Sequence, residues 1–201
     1  MMATLWEIMP AMSVLAFVLA ITPGPNNFLL ASSGAQFGMK RSLRHLLGIR
    51  LGIMVLIVLC ASGVGATMTQ HPGIYQALRY LGLGYMLWMA GKLALSSASG
   101  MAAKQTGPLS VRQATLFQLG NVKAWMACLA LVSSYNLPEQ YWSSVLMILL
   151  VFTAFGFMAN SLWAYMGYGM RCLLDSPKKQ QGFNVALALL TVGTLLPAFL
   201  N

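Results

Sequence analysis

Six long apolar stretches run along this chain, separated by short polar connections. They lie at residues 10–31, 46–68, 80–95, 114–135, 141–166 and 183–200. Each approaches the roughly 20 residues that an α-helix needs to cross a hydrocarbon layer of about 30 Å. The pattern predicts an all-α integral membrane protein with six transmembrane helices in one membrane domain.

Composition supports a membrane protein. Hydrophobic residues make up 58% of the 201 positions and charged residues only 7%, whereas soluble domains carry about 25% charged residues. The net charge of +9 would suit nucleic acid, but the basic residues form small groups between apolar runs. We therefore expect the lipid bilayer as a partner and no nucleic acid. No Lys or Arg precedes the first stretch, so we expect it to be retained rather than cleaved as a signal peptide.

The basic residues also predict the orientation, because Lys and Arg concentrate in short cytoplasmic loops. Nine of the twelve fall at the connections that would share one side: Lys40, Arg41, Arg44, Lys92, Lys104, Arg112, Arg171, Lys178 and Lys179. Arg79, Glu7 and Glu139 fall on the other side with the two termini. Both termini are therefore predicted to be periplasmic.

The first apolar stretch contains a polar interruption, "TPGPNN" at residues 22–27. Pro23 and Pro25 cannot donate backbone hydrogen bonds, and Gly24 permits backbone angles that a helix does not use. Asn26 and Asn27 offer both donors and acceptors. Because a span is interrupted in lipid only where protein or a water-filled cavity satisfies the freed groups, this segment predicts a helix broken at a functional site.

A second polar cluster, Gln118, Asn121 and Lys123, lies in the fourth stretch, and Asn160 lies in the fifth. Lys123 would either face a polar interior or extend toward the cytoplasmic surface. For Arg50, about one turn inside the second stretch, extension toward the surface is the favoured interpretation. Glycines four residues apart, Gly34 with Gly38 and Gly48 with Gly52, predict close helix packing.

The two polar clusters occupy comparable positions three spans apart. With three spans in each half, residues 1–100 and 101–201 would be two three-helix repeats of opposite orientation. In such folds, broken helices meet near the midplane and hold a substrate.

Together, "TPGPNN", the glycines and the Gln118, Asn121-Val122-Lys123 cluster resemble the LysE/RhtB family of bacterial amino-acid exporters over nearly the whole chain. Val122 replaces the usual proline, and this variant, with Asn160, Trp163 and Gly167, is similar to the cysteine/O-acetylserine exporter branch. The resemblance implies export across the bacterial inner membrane, driven by the proton-motive force. Many relatives carry an acidic residue where this chain has Ile53, and no Asp or Glu lies within any predicted span. The coupling mechanism is therefore left open.

These residues suggest a binding site for a zwitterion. Pro23, Gly24 and Pro25 would shape the backbone, and the new helix N-terminus and Lys123 would attract an α-carboxylate. The amides that would contact the rest of the substrate are Asn26, Asn27, Gln118, Asn121 and Asn160. Without an anionic side chain, a cationic substrate would lack a counter-ion. We expect a small neutral amino acid or derivative of the cysteine/O-acetylserine or homoserine/threonine type, no cofactor and no metal. A homo-oligomer is left open.

Two other classes of protein share this size and hydrophobicity. A membrane thiol-disulfide electron carrier, an enzyme, would need two cysteines that meet, but Cys60, Cys128 and Cys172 show no paired spacing. A non-transporting subunit or a channel would not need a broken helix with convergent polar groups. We expect a transporter rather than an enzyme.

The predicted orientation can be tested by fusing alkaline phosphatase to the C-terminus, because this enzyme is active only in the periplasm. We expect an active fusion, and an inactive fusion that is stably expressed would contradict the orientation.

Overall fold

The computed structural model describes residues 4–64, 72–95 and 107–200, and its regular structure is helical throughout these ranges. The α-helices are α1 (Leu5–Ile21), α2 (Pro25–Ala61), α3 (Pro72–Leu95), α4 (Val111–Gly120), α5 (Val122–Tyr135), α6 (Tyr141–Gly169) and α7 (Pro177–Leu200). Short 3₁₀ turns at Pro138–Gln140 and Met170–Cys172 flank α6. The predicted all-α class is confirmed.

Several helices suit a lipid environment. Within the described residues, α2 and the run Pro138–Cys172 that contains α6 are each long and apolar enough to cross a membrane, and the bent pair α4–α5 would be a third span. Helix α1 is apolar but shorter. Large apolar side chains such as Trp6, Leu81 and Leu189 are at least two-thirds exposed, as expected for a surface that faces lipid. The six-span arrangement in two repeats stays a prediction.

The break in the first stretch is confirmed, since α1 ends at Ile21 and α2 begins at Pro25. The predicted loop before residue 46 is wrong, because α2 continues to Ala61 with one change of direction at Gly38. Gly38 has φ of 77°, a conformation that glycine adopts without steric cost. His45, which precedes the second predicted stretch, is a buried residue of α2. His71, which lies between the second and third predicted stretches, is outside the described residues.

The fourth stretch is also broken, whereas the sequence predicted a break only in the first stretch. Asn121 has extended backbone angles (φ −86°, ψ 95°) and separates α4 from α5, which are bent by 74°. The helices α3 and α7 begin several residues before the predicted spans, at Pro72 and Pro177. Proline fits the first turn of a helix, where no backbone donor is needed.

Of the four paired glycines, Gly34, Gly48 and Gly52 allow close contacts between helices, as predicted, whereas Gly38 marks the change of direction in α2. A Cβ added at Gly34 or Gly167 would overlap a backbone carbonyl oxygen across the α2–α6 contact. Gly48 and Gly52 bring α2 against α4 in the same way, and Gly82 of α3 lies against α4. The glycines thus hold α2, which contains the residues after the first break, tightly against α6 and α4.

Gly34→Ala should lower the stability of the purified protein in detergent. The new methyl group would collide with the backbone of α6, and overpacking of this kind costs about 1–3 kcal/mol. The matched control is Gly84→Ala in α3, where nothing lies within 4 Å of the added Cβ. Thermal unfolding should show a lower midpoint for Gly34→Ala only, and equal midpoints would contradict the close packing.

Candidate functional site

The break between α1 and α2 runs from the exposed residues Thr22 and Pro23 to the buried residues Gly24 and Pro25. Gly24 is fully extended (φ 176°, ψ 177°), and Pro25 occupies the first turn of α2. The end of α1 leaves backbone carbonyl groups without partners in its own helix. These carbonyls must be satisfied by other donors, because water is scarce in an apolar interior.

Two side chains satisfy part of this helix end. The amide Nδ2 of Asn27 donates to the carbonyl oxygens of Ala20 and Thr22 at 2.9 and 2.8 Å. The indole Nε1 of Trp163, from α6, donates to the carbonyl oxygen of Ile21 at 2.9 Å. Asn27 thus stabilises the break as well as lying beside it.

Lys123 is the third side chain that donates to the carbonyl oxygens at this break. Its ammonium group donates to the carbonyl oxygens of Thr22 and Pro23, the latter at 3.0 Å. A cation at a helix C-terminus is favourable because the helix dipole is negative there. Lys123 is half-buried, and its ammonium group points at the break. A Cβ at position 24 would lie 3.0 Å from Lys123 Cδ, so Gly24 leaves room for this side chain.

A reciprocal pair of amides joins the two breaks. Asn26 Nδ2 donates to Gln118 Oε1 at 2.8 Å, and Gln118 Nε2 donates to Asn26 Oδ1 at 3.0 Å. Asn121, at the second break, accepts from the backbone N–H of Ala124 at 3.4 Å and so caps α5. The two polar clusters therefore meet in space, although 92 residues separate Asn26 from Gln118.

A third polar chain leads from the first break to α6 and back to α2. Asn160 Nδ2 donates to Asn27 Oδ1 at 2.6 Å. The Arg50 guanidinium donates to Asn160 Oδ1 and, at 3.2 Å, to the Phe152 carbonyl oxygen. Arg50 is only 5% exposed, so the favoured interpretation that it extends to the surface is wrong. The position of Arg50, about one turn inside the second predicted stretch, did not indicate which way its side chain points.

A cavity of about 40 Å³ lies between the breaks. Seven of the nine predicted site residues line it, namely Gly24, Pro25, Asn26, Asn27, Asn121, Lys123 and Asn160. Pro23 and Gln118 do not line it but bond to residues that do. Arg50, Ile53 and Phe152 are lining residues that sequence reasoning did not assign to the site.

A second cavity, of about 960 Å³, opens between α2, α3 and the segment leading into α4. Its lining contains the basic side chains Lys40, Arg41, Arg44, His45, Lys92 and Arg112 and no acidic residue. Five of these belong to the groups that the sequence predicts to be cytoplasmic. The structure thus gathers basic residues from two predicted loops around one opening.

Trp163→Phe should destabilise the protein, since it removes the donor to the Ile21 carbonyl but retains an aromatic ring. A buried acceptor left without a partner costs about 1–3 kcal/mol. The control is Trp142→Phe, because Trp142 is 65% exposed. Thermal unfolding in detergent should show a lower midpoint for Trp163→Phe than for the control, and similar midpoints would argue against this cap.

Comparisons with known proteins identify the family of this chain. Residues 17–194 match the family model described as "LysE type translocator". The chain is 32% identical to proteins named "Cysteine/O-acetylserine efflux protein" from Escherichia coli (strain K12) and Shigella sonnei (strain Ss046), with 87% of this chain and 89% of each relative covered. No solved structure gives a significant match. The chain therefore belongs to the LysE family of translocators.

Proposed function

We propose that this protein is a secondary transporter that exports a small neutral amino acid or derivative across the bacterial inner membrane. The cysteine/O-acetylserine type comes first, because the similar efflux proteins carry that name, and the homoserine/threonine type second. The observation that carries the proposal is the meeting of two broken helices around a cavity lined by amides and cations.

The chemistry of the cavity suits a zwitterion. The amide oxygens of Asn26, Asn27, Asn121 and Asn160 are acceptors for an α-ammonium group, and the amide N–H groups are donors for a polar side chain. Arg50 and Lys123 supply positive charge. No acidic side chain lines the cavity, so a lysine or arginine substrate would meet uncompensated repulsion. A small neutral amino acid fits best.

The volumes of the two cavities support transport by alternating access. A cavity of about 40 Å³ has room for only a few water molecules, so an amino acid would enter only when the two breaks move apart. The Asn26–Gln118 pair would then open and let its amides bind substrate. The basic cavity of about 960 Å³ would be the access route from the cytoplasm, consistent with periplasmic termini and two inverted repeats, residues 1–100 and 101–201.

Coupling to the proton-motive force would not use a carboxylate of the protein. The chain has three acidic residues, Glu7, Glu139 and Asp175. Glu7 accepts from the Thr4 backbone at the start of α1, Glu139 lies in a 3₁₀ turn, and Asp175 pairs with Lys179. Coupling would then use a substrate group or Lys123, would be electrogenic antiport without a protein carboxylate, or would be absent.

Export can be tested by overexpressing the protein in a bacterium that is sensitive to excess cysteine, O-acetylserine, homoserine or threonine. We expect faster growth and extracellular accumulation of one of them. Asn26→Ala and Gln118→Ala should lose most of this export, whereas Gln180→Ala, an exposed amide outside the site, should export normally. Failure of the wild type to export any of them would overturn the proposal.

Flux measurements in proteoliposomes distinguish a coupled exporter from a passive pore. Uptake of the identified substrate should respond to an imposed pH gradient. Flux that is unchanged by the gradient and does not saturate with substrate would indicate a channel.

A further inference from the structure

Arg50 is a buried cation that lacks a counter-ion within the protein. We propose that it binds the α-carboxylate of the transported amino acid, an inference that rests on the proposed export function. Arginine keeps its charge in proteins, so burial does not neutralise it. A charge within the membrane that has no partner is costly and marks a functional site.

No carboxylate side chain of the protein can supply the missing negative charge. Its three acidic residues are Glu7, Glu139 and Asp175, and none lies on α2 or lines the cavity beside Arg50. The negative partner must therefore come from outside the chain, and the carboxylate of an amino acid is the anion that an exporter of this class brings into the site.

The present partners of Arg50 are neutral and leave part of its guanidinium free. The Phe152 carbonyl and the Asn160 amide oxygen each accept from one terminal nitrogen. In the part of the chain that the structure describes, the buried Nε has no hydrogen-bond partner. A carboxylate can accept from Nε and a terminal nitrogen together, in the two-bond geometry that arginine favours.

Lys123 is less suited to this role, although it lines the same cavity. Its ammonium group already bonds to two carbonyl oxygens at the negative end of α1. Each helix end contributes roughly half an elementary charge. At the two breaks, the C-termini of α1 and α4 oppose the N-termini of α2 and α5, so the dipoles largely cancel and the two full positive charges remain.

Gly156 of α6 leaves the space that the Arg50 guanidinium occupies. A Cβ added at Gly156 would overlap the guanidinium group, so even alanine would force Arg50 to move. The same helix contributes Phe152 and Asn160, which hold two of the guanidinium nitrogens. Three positions on one face of α6 thus orient Arg50 beside the cavity.

The experiment compares transport of the amino acid identified by the export screen with transport of its methyl ester, which lacks the carboxylate. Wild-type protein, Arg50→Gln and Arg50→Lys are assayed in proteoliposomes, with Arg171→Gln, an exposed arginine, as the control. Loss of a hydrogen-bonded ion pair predicts a KM for the amino acid raised roughly ten- to hundredfold in Arg50→Gln. Its preference for the acid over the ester should fall toward one. Arg50→Lys should lie between the two, and Arg171→Gln should match the wild type.

Protein recovered as a monodisperse species after size exclusion is used for every assay, so that loss of folding is separated from loss of recognition. Gly156→Ala keeps the charge but displaces the guanidinium, and it should also raise the KM and weaken the preference for the acid. An Arg50→Gln protein with wild-type KM and wild-type preference for the acid would overturn the inference while export stands. If the wild type exports no amino acid, the proposed function fails and the inference with it.

Discussion

Backbone hydrogen bonding at the break between α1 and α2 is the constraint on which the rest of the structure depends. In an apolar environment each unsatisfied carbonyl costs several kcal/mol, so the break persists only while other groups donate to it. Asn27 from α2, Lys123 from α5 and Trp163 from α6 supply these donors. One local interruption therefore fixes the positions of three helices, and two of the side chains that satisfy it, those of Asn27 and Lys123, also line the cavity.

The polar interior has an unusual charge balance as a consequence. The broken helices introduce donors and acceptors in pairs, but Arg50 and Lys123 add positive charge that no acidic side chain in the cavity lining neutralises. A transporter can tolerate this imbalance because its substrate carries the complementary group in and out. The proposed binding of an α-carboxylate by Arg50 would restore the balance.

Much of the candidate site could be predicted from residue types with a strong local meaning. Proline and glycine at 23–25 indicated the first break, and the glycine spacing around Gly34 indicated close helix packing; both are present. The sequence was less informative where local preference is weak. The helix continues through His45, since nothing there prevents helix formation, and Asn121 breaks α4 from α5 without a proline. The sequence did not indicate which way the Arg50 side chain points, because a side chain one turn inside a helix can either be buried or reach the surface.

The sequence by itself determined the environment, the helical class and the location of the first break, because hydrophobicity, proline and glycine act on the backbone within a few residues. It also determined that no Asp or Glu lies within a predicted span, since the chain has only three acidic residues. Tertiary structure alone decided which donors satisfy the break, that Asn26 meets Gln118, and that Arg50 lies inside. These are contacts between helices far apart in sequence, and their geometry depends on how closely the glycines let the backbones approach.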